Sequence, residues 1–207
     1  MGSEMCIRDS LKGVREAADE FGCLVIADEV QSGMGRTGHL FAYQATDIQP
    51  DLVVLAKGLG GGFPVGAVIA RRDIGEAMGP GSHGSTFGGN PLAMAVANAV
   101  LDGLEEDGFL DTVRARIDRL DTHLHELAAA YPDKIIEVRG SGLLRGLRLA
   151  DSLAVGDVTA ALRARHLLCV PAAENVLRLL PPLTISETEL ATARSALDSC
   201  FAELTTA

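Results

Sequence analysis

The sequence predicts an α/β fold in two parts, a sheet-based domain followed by a smaller α+β domain. Residues 23–27 are an unbroken apolar run of strand length, and the predicted strand at 51–56 is apolar after Asp51. Such runs are typical of strands that are buried on both faces of a mainly parallel sheet. Farther along the chain, short strands alternate with helices that are apolar on one face only. This change of pattern indicates one domain over residues 11–107 and a second over residues 108–207.

Composition and charge exclude several classes of protein. The chain has 207 residues, of which 47% are hydrophobic, and its net charge of −10 opposes binding to a nucleic-acid backbone. No run reaches the roughly 18 to 20 apolar residues of a membrane helix. The four cysteines lie far apart without a CxxC pair, so neither a metal site nor a disulfide framework is predicted. We expect a cytoplasmic protein that acts on small molecules.

The first ten residues, MGSEMCIRDS, show no helical or strand period. We interpret residues 1–10 as a non-native or artefactual leader, with an ordinary disordered terminus as the alternative. The helical pattern then opens abruptly at Leu11. This abrupt opening suggests the C-terminal part of a longer protein.

The elements of the first domain follow from periodicity and from helix-capping residues. They are, in order, a helix from Leu11 that Gly22 ends, strands at 23–27, 51–56 and 65–70, and a helix from Pro91 to about Glu106. Asn90 has the right position to cap the last helix, and Pro91 suits its first turn.

The second domain is predicted to mix helices with antiparallel strands. Its elements are, in order, a helix from Asp111 that Pro132 ends, strands at 135–140 and 142–149, a helix over Val158–Arg165, strands at 167–170 and 176–180, and a last helix. Ser186 and Glu189 have the spacing of a capping box at the start of that last helix.

Two charged residues stand where the first two apolar strands end. Asp28 follows one strand and Lys57 the other, and each precedes a glycine-rich loop. Because the carboxyl ends of parallel strands meet at one edge, both side chains are predicted to face the same crevice. Desolvation there would favour the neutral amine that Schiff-base chemistry needs, and an aspartate can hold a proton on a ring nitrogen. An ion pair at the sheet edge is the structural alternative.

Glycines and hydroxyl side chains flank these two residues. The run Gly58–Gly62 contains four glycines and would let the backbone pass close to a bound molecule, but it matches neither a dinucleotide nor a P-loop pattern. Ser85 and Thr86 precede the helix that starts at Pro91, and helix N-termini stabilise anions. Turn formation and capping explain the same two hydroxyls without a ligand.

Four motifs together resemble the class III pyridoxal-phosphate aminotransferases. They are DEVQ at 28–31, GMGRTG at 33–38, AKGLGGG at 56–62 and GSTFGGNP at 84–91. Their order and spacing are those of the family, and the resemblance extends from residue 11 to about residue 205. It implies fold type I of the pyridoxal-phosphate-dependent transferases, with part of the large domain followed by the small C-terminal domain.

The resemblance also implies catalytic and cofactor-binding residues. Lys57 would carry pyridoxal 5′-phosphate as a Schiff base and then move the substrate proton, while Asp28 would pair with the protonated ring nitrogen. Gln31 would bind the phenolic oxygen of the cofactor and Val30 would pack on the ring face. Glu29 belongs to the same implied cofactor-binding segment.

Substrate and partner contacts are implied farther along the chain. Thr86 would reach the cofactor phosphate of the neighbouring subunit in a homodimer with shared active sites, and Ser85 would contact substrate. Arg178 would receive the substrate α-carboxylate, which suits the planar fork of a guanidinium; a structural ion pair is the alternative. We expect a structural role for Arg139.

The run SHGSTFGGNPLAMAVANAVLD is most similar to members of the family that act on N-acetylornithine. The implied reaction transfers the terminal amino group of that substrate to 2-oxoglutarate, in arginine biosynthesis. Ornithine or 4-aminobutyrate as amino donor, an aminomutase reaction, and a catalytically silent remnant are the alternatives. Because the family pattern normally includes a preceding half with a phosphate-binding loop, we expect this chain alone to be inactive and to bind the cofactor weakly or not at all.

Overall fold

Two compact units make up the chain in the computed structural model, which describes residues 2–204 and the side chains of residues 10–204. The boundary lies between Leu110 and Asp111. Each unit contains its own sheet.

The first unit combines a three-stranded sheet with helices. Its elements are, in order, α1 (Gly2–Phe21), β1 (Ile26–Asp28), a 3₁₀ turn (Ala42–Ala45), β2 (Leu52–Leu55), a second 3₁₀ turn (Lys57–Gly60), β3 (Ala67–Ala70), α2 (Arg72–Glu76) and α3 (Pro91–Glu105). The predicted cap of α3 is confirmed, since Asn90 Oδ1 accepts a hydrogen bond from the amide of Ala93 at 3.0 Å.

The strands of the first unit run in mixed directions, in the order β1-β2-β3. β1 and β2 are parallel, whereas β2 and β3 are antiparallel. The expectation of a mainly parallel sheet is therefore correct for one strand pair and wrong for the other. Residues 56–66, which join β2 to β3, contain only a 3₁₀ turn, and a parallel return would need a crossover of a dozen or more residues.

Helix α1 begins earlier than its sequence pattern predicts. It starts at Gly2, so the prediction that residues 2–10 lack helical structure is wrong, while Met1 lies outside the described residues. No proline interrupts this segment, and a helix that has nucleated from Leu11 onwards can extend through it. The interpretation of residues 1–10 as a leader stays a prediction. Gly22 ends α1 in the left-handed conformation, with φ of +66°.

Strand β1 is shorter and more exposed than predicted. It covers residues 26–28 instead of 23–27, because the amide of Val25 bonds to the Asp51 side chain and not to a neighbouring strand. β1 is also an edge strand in the described part of the chain, and Leu24 and Ile26 are 53% and 59% exposed. A continuous apolar run therefore predicts a strand here but not its burial.

The carboxylate of Asp51 connects the elements of the first unit. It is buried and accepts hydrogen bonds from the Val25 amide at 2.7 Å, from Arg15 of α1 at 2.7 Å and from Arg71 at 2.6 Å. The backbone of Asp51 also accepts from the Arg71 amide at 3.1 Å. The hydrogen bond from Val25, followed by that from Arg15, lowers the pKa of Asp51.

The second unit has a four-stranded antiparallel sheet in the order β4-β5-β7-β6. Its elements are, in order, α4 (Phe109–Ala130, which starts just before the boundary), β4 (Ile135–Ser141), β5 (Leu144–Leu149), α5 (Val155–Ala164), β6 (Val170–Ala172), β7 (Val176–Leu179) and α6 (Glu187–Glu203). The antiparallel pairing of β4 with β5 and the Ser186–Glu189 capping box are confirmed. The strand predicted at 167–170 begins only at Val170, because the Leu167 amide closes α5 by bonding to Leu162 O at 3.0 Å.

Apolar packing is more complete in the second unit than in the first. Among the described residues, all of the largest fully buried side chains lie beyond residue 110, including Phe201, Leu124 and Leu177. The first unit instead exposes Phe21 and Phe87 to 74% and 81%. Over residues 2–204, no helix combines the length and apolar character needed to cross a membrane.

Replacing Asp51 with asparagine is expected to destabilise the first unit, because Arg15 and Arg71 lose their buried anionic partner. Since the pKa of Asp51 is lowered in the folded chain, this stabilisation is present above the unfolded-state pKa of about 4 and is lost as the pH falls through the folded-state value. Thermal unfolding followed by circular dichroism between neutral and acidic pH measures both effects. We expect a midpoint several degrees lower for Asp51→Asn at neutral pH and a difference that shrinks in acid.

Asp19→Asn is the matched control, because it removes the exposed partner of the same Arg15. An exposed pair contributes little, so this variant should unfold close to wild type. Equal midpoints for the two variants at neutral pH would contradict the role assigned to Asp51.

Candidate active site

The parallel pairing of β1 with β2 brings Asp28 and Lys57 to one edge of the sheet. Asp28 lies opposite Val54, and the amide of Glu29 bonds to Val54 O at 3.0 Å. Lys57 follows β2 three residues beyond Val54. Because both residues stand where parallel strands end, the carboxylate and the amine lie at the same edge, as the strand pattern predicts. Both side chains are exposed.

The amine of Lys57 is unengaged. Among the described residues, no hydrogen bond or ion pair involves its Nζ, and the alternative of an Asp28–Lys57 ion pair is not realised. The other two lysines are engaged, since Lys12 lies 3.8 Å from Glu16 and Lys134 donates to Phe201 O at 2.6 Å. The expected desolvation of Lys57 is wrong for the described residues, because its side chain is exposed beyond the end of β2.

The backbone of Lys57 is strained. Its φ is +45°, and it opens the 3₁₀ turn in which the Leu59 amide bonds to Ala56 O at 3.0 Å. A non-glycine residue in this left-handed region costs roughly 1–2 kcal/mol, so the surrounding packing must impose the conformation.

The glycines after Lys57 are required mainly by protein packing. A Cβ on Gly58 would lie 3.1 Å from Cβ of Met34, one on Gly60 2.8 Å from Cγ1 of Val65, and one on Gly61 3.0 Å from Cγ2 of Val100 in α3. The space expected for a bound molecule is therefore occupied by side chains of this chain at these three positions. Only at Gly62 in this run would a Cβ meet nothing within 4 Å.

The DEVQ segment is fixed through Glu29. The carboxylate of Glu29 is buried and accepts from Ser32 Oγ at 2.7 Å and from the Tyr43 amide at 2.9 Å. Its side chain therefore holds the loop that follows β1. Asp28 Oδ1 accepts from the Val30 amide at 3.1 Å, and Gln31 is exposed. Cofactor contacts by Asp28 and Gln31 stay a prediction, whereas the hydrogen bonds of Glu29 hold the loop.

Ser85 and Thr86 lie in an exposed segment before α3. Ser85 Oγ accepts from the Gly88 amide at 3.0 Å, so the turn-forming alternative holds for that hydroxyl. Among the described residues, no hydrogen bond links either hydroxyl to Lys57 or to the DEVQ segment. A ligand role for these two residues stays a prediction.

Arg178 lies in the second unit, on β7, between Gly146 of β5 and Val170 of β6. Its Nε is buried and has no hydrogen-bond partner among the described residues. An unpaired buried donor is costly, and a substrate-binding role for Arg178 stays a prediction. Arg139, by contrast, is paired with Glu137 at 2.7 Å and Glu174 at 2.6 Å, as expected of a structural residue.

Asn175 is the residue that sequence reasoning missed. It adopts a left-handed conformation with φ of +57° in the turn before β7. Its Nδ2 donates to Leu153 O at 2.7 Å and Ala150 O at 3.1 Å, and its Oδ1 accepts from the Val155 amide at 2.9 Å. Asn175 thereby fixes the start of the strand that carries Arg178. The pair Glu174-Asn175 directly before a strand is typical of a turn, and this pattern could have indicated the role of Asn175.

Buried thiols are poor alternatives to Lys57 as a nucleophile. Burial raises the pKa of Cys169 to about 11 and also raises the pKa of Cys200. Both thiols are therefore protonated at neutral pH, and a protonated thiol is unreactive. Within the described residues, no group of three or more histidine, cysteine or acidic side chains could hold a metal ion.

Comparison with known proteins identifies the family. The sequence model of the class-III aminotransferases matches residues 1–201. The chain belongs to the class-III aminotransferase family. It is 50% identical over 181 residues to an acetylornithine aminotransferase of Mesorhizobium japonicum, which covers 87% of this chain and 45% of that relative. Acetylornithine aminotransferase 1 of Bradyrhizobium diazoefficiens is 52% identical over 87% of this chain and 44% of its own length.

Solved structures of the same family have a similar fold. Acetylornithine aminotransferase from Elizabethkingia anophelis matches with a TM-score of 0.86 and 38% identity, over 94% of this chain and 49% of that one. Ornithine δ-aminotransferase from Plasmodium falciparum matches with a TM-score of 0.86 and 31% identity, over 94% of this chain and 50% of that one. The chain thus spans about half the length of the relatives it matches.

Class-III aminotransferases are pyridoxal-phosphate-dependent transaminases, and the described residues fit that cofactor in part. The unengaged amine of Lys57 and the carboxylate of Asp28 are the two groups that this cofactor requires at one edge of a sheet. A phosphate-binding role for Thr86 has no support from its contacts.

Replacing Asn175 with alanine is expected to destabilise the second unit by about 1–3 kcal/mol, because buried donors and acceptors lose their partners. Asn175→Gly should lose the same hydrogen bonds but tolerate the positive φ, and should therefore be less destabilised. Urea unfolding measures the difference. Glu174→Ala, which removes only an exposed ion-pair partner of Arg139, is the neighbouring control. Wild-type stability of Asn175→Ala would show that Asn175 does not hold the turn.

Proposed function

We propose that the protein containing this chain is an aminotransferase that moves the terminal amino group of N-acetylornithine to 2-oxoglutarate with pyridoxal 5′-phosphate. The observation that carries the proposal is the unengaged, conformationally constrained Lys57 beside Asp28 at one sheet edge. Membership of the family and about 50% identity to relatives named acetylornithine aminotransferase support the reaction and its amino donor. A biosynthetic role in arginine formation follows if that donor is correct.

Asp28 and Lys57 divide the chemistry at the cofactor between them. When bound, the cofactor supplies an electron-withdrawing ring that stabilises negative charge beside the amino carbon. Asp28 would hold a proton on the ring nitrogen, and its Oδ1 is oriented for this by the Val30 amide at 3.1 Å. Lys57 would carry the cofactor and then, as a free amine, accept and return the substrate proton.

Other residues would position the cofactor and the substrate. Gln31 would donate to the phenolic oxygen of the ring, Val30 would pack against its face, and Glu29 would keep both in place through Ser32 and Tyr43. Arg178 would bind the substrate α-carboxylate through parallel hydrogen bonds.

Ser85 and Thr86 are proposed as contacts at a shared active site. Ser85 would contact substrate, and Thr86 would reach the cofactor phosphate of a second subunit. This assignment requires a homodimer. The exposure of the whole segment that precedes α3 is compatible with such a contact.

Ornithine is the second candidate amino donor. The ornithine δ-aminotransferase of Plasmodium falciparum matches this fold with a TM-score of 0.86. The two donors differ only by the acetyl group on the α-nitrogen. We also infer that this chain alone binds the cofactor weakly or not at all, because Asp28, Gln31 and Lys57 are all exposed. We further infer that the protein is cytoplasmic.

A protein of the relatives' full length that contains this sequence is expected to prefer N-acetylornithine to ornithine and to 4-aminobutyrate, with 2-oxoglutarate as acceptor. Comparison of kcat/KM for the three donors measures the preference, and each tenfold difference corresponds to about 1.4 kcal/mol in the transition state. Lys57→Ala is the inactive control. A higher kcat/KM for unacetylated ornithine would show that ornithine is the amino donor. Full activity of Lys57→Ala would contradict the proposed role of Lys57.

A further inference from the structure

We propose that Met34 is a positioning residue for Lys57, holding the lysine in the left-handed backbone conformation from which its amine faces the sheet edge. The inference rests on the proposed function in one respect, that Lys57 is the reactive lysine. The contact itself stands on the geometry of the first unit. Met34 lies in the GMGRTG motif, to which the proposed function assigns no role.

Met34 is fixed by its own loop. It is 4% exposed and has a φ of +57°, so a non-glycine residue is held in a strained, buried conformation. The residue before it, Gly33, donates its amide to Glu29 O at 2.9 Å, and the residue after it, Gly35, donates to Leu40 O at 3.3 Å. A Cβ on Gly33 would lie only 2.9 Å from Glu29 O. The loop thus packs tightly against the end of β1 and has no room to shift.

The side chain of Met34 packs against the residue after Lys57. A Cβ on Gly58 would lie 3.1 Å from Cβ of Met34 and 3.5 Å from its Cγ. Met34 therefore occupies the space beside the Lys57–Gly58 peptide. Because Lys57 itself has a φ of +45°, this is the point at which the chain must be prevented from relaxing to the right-handed region.

Two other side chains confine the rest of the same turn. Val65 lies against Gly60, and Val100 of α3 lies against Gly61. Neither is adjacent to Lys57 in the turn, so Met34 is the contact placed to act on the lysine itself. Shortening Met34 to alanine keeps its Cβ but removes Cγ, the second of its two atoms that lie against Gly58, and everything beyond it. Gly58 then gains space, and Lys57 can relax.

The contact also sets the position of Lys57 relative to the DEVQ segment. Met34 belongs to the loop that Glu29 anchors, and that loop directly follows Asp28 and contains Gln31. Met34 thereby fixes the position of Lys57 relative to Asp28 and Gln31, the two residues proposed to contact the cofactor ring. The relative placement of these three residues therefore does not require a bound cofactor.

The test compares Met34→Ala with Met34→Leu, which keeps the volume of the side chain. Ile48→Ala is the control, because Ile48 is buried to 5% exposure in the same unit and does not contact Gly58. The first readout is amide hydrogen exchange in the cofactor-free chain at Leu59, Gly61 and Phe63, whose amides bond within the turn. The second is the apparent dissociation constant for pyridoxal 5′-phosphate from an absorbance titration.

We expect Met34→Ala to accelerate exchange at these three amides by about tenfold or more and to weaken binding by about tenfold, because a local opening replaces a packed turn. Met34→Leu should restore both values, and Ile48→Ala should leave the exchange of the turn unchanged. Exchange in Met34→Ala no faster than in Ile48→Ala would overturn the proposal. Faster exchange with unchanged binding would also overturn it, since Met34 would then stabilise the turn without positioning Lys57.

The two readouts separate this proposal from the proposed function. If the wild-type chain shows no saturable binding even at high cofactor concentration, the binding comparison is made on a protein of the relatives' full length that contains this sequence. Faster exchange in Met34→Ala with no cofactor binding by that protein would support the packing of Met34 on the Lys57 turn and contradict the cofactor role of Lys57. The exchange measurement contains no cofactor, so it decides the contact in every case.

Discussion

The buried carboxylate of Asp51 joins the elements that lead to the candidate site. It binds Arg15 of α1, the Val25 amide that precedes β1, and Arg71 just after β3. Asp51 itself immediately precedes β2, so one side chain sets where β1 and β2 begin to pair. Because that pairing is parallel, it determines that Asp28 and Lys57 leave the sheet at the same edge. The buried charge of Asp51 thus determines where the two proposed reactive groups lie.

Strained backbone in the described part of the first unit lies at the other end of the same strands. Lys57 and Met34 are both non-glycine residues with positive φ, and they meet at Gly58. Such conformations persist only where surrounding packing imposes them, and they are common at functional sites. Here the packing comes from a loop fixed by Glu29 and from α3 through Val100. The motif glycines permit this close packing, which explains why three of the four glycines of the Gly58–Gly62 run lie against other side chains.

Local signals predicted much of this structure, and long-range packing accounts for what they missed. The caps at Asn90 and Ser186 depend on residues three positions apart, so the sequence pattern sufficed. The exposure of β1 depends on what covers it, and the direction of β3 depends on the length of its connection. Asp28 and Lys57 were predictable because strand ends carry the chemistry of open sheets. Met34 and Asn175 were not, because buried contacts and a left-handed turn have no strong pattern in one sequence.

The central claim is that Lys57 is the lysine that carries pyridoxal 5′-phosphate. The chain has only three lysines, which makes the claim directly measurable. Incubation of the wild-type chain with the cofactor, reduction with borohydride and peptide mass spectrometry would show which lysine has been modified, even where equilibrium binding is weak. The account predicts modification chiefly at Lys57, whose amine is unengaged, and little at Lys12 or Lys134. Modification of the well-exposed Lys12 to the same extent as Lys57 would contradict it.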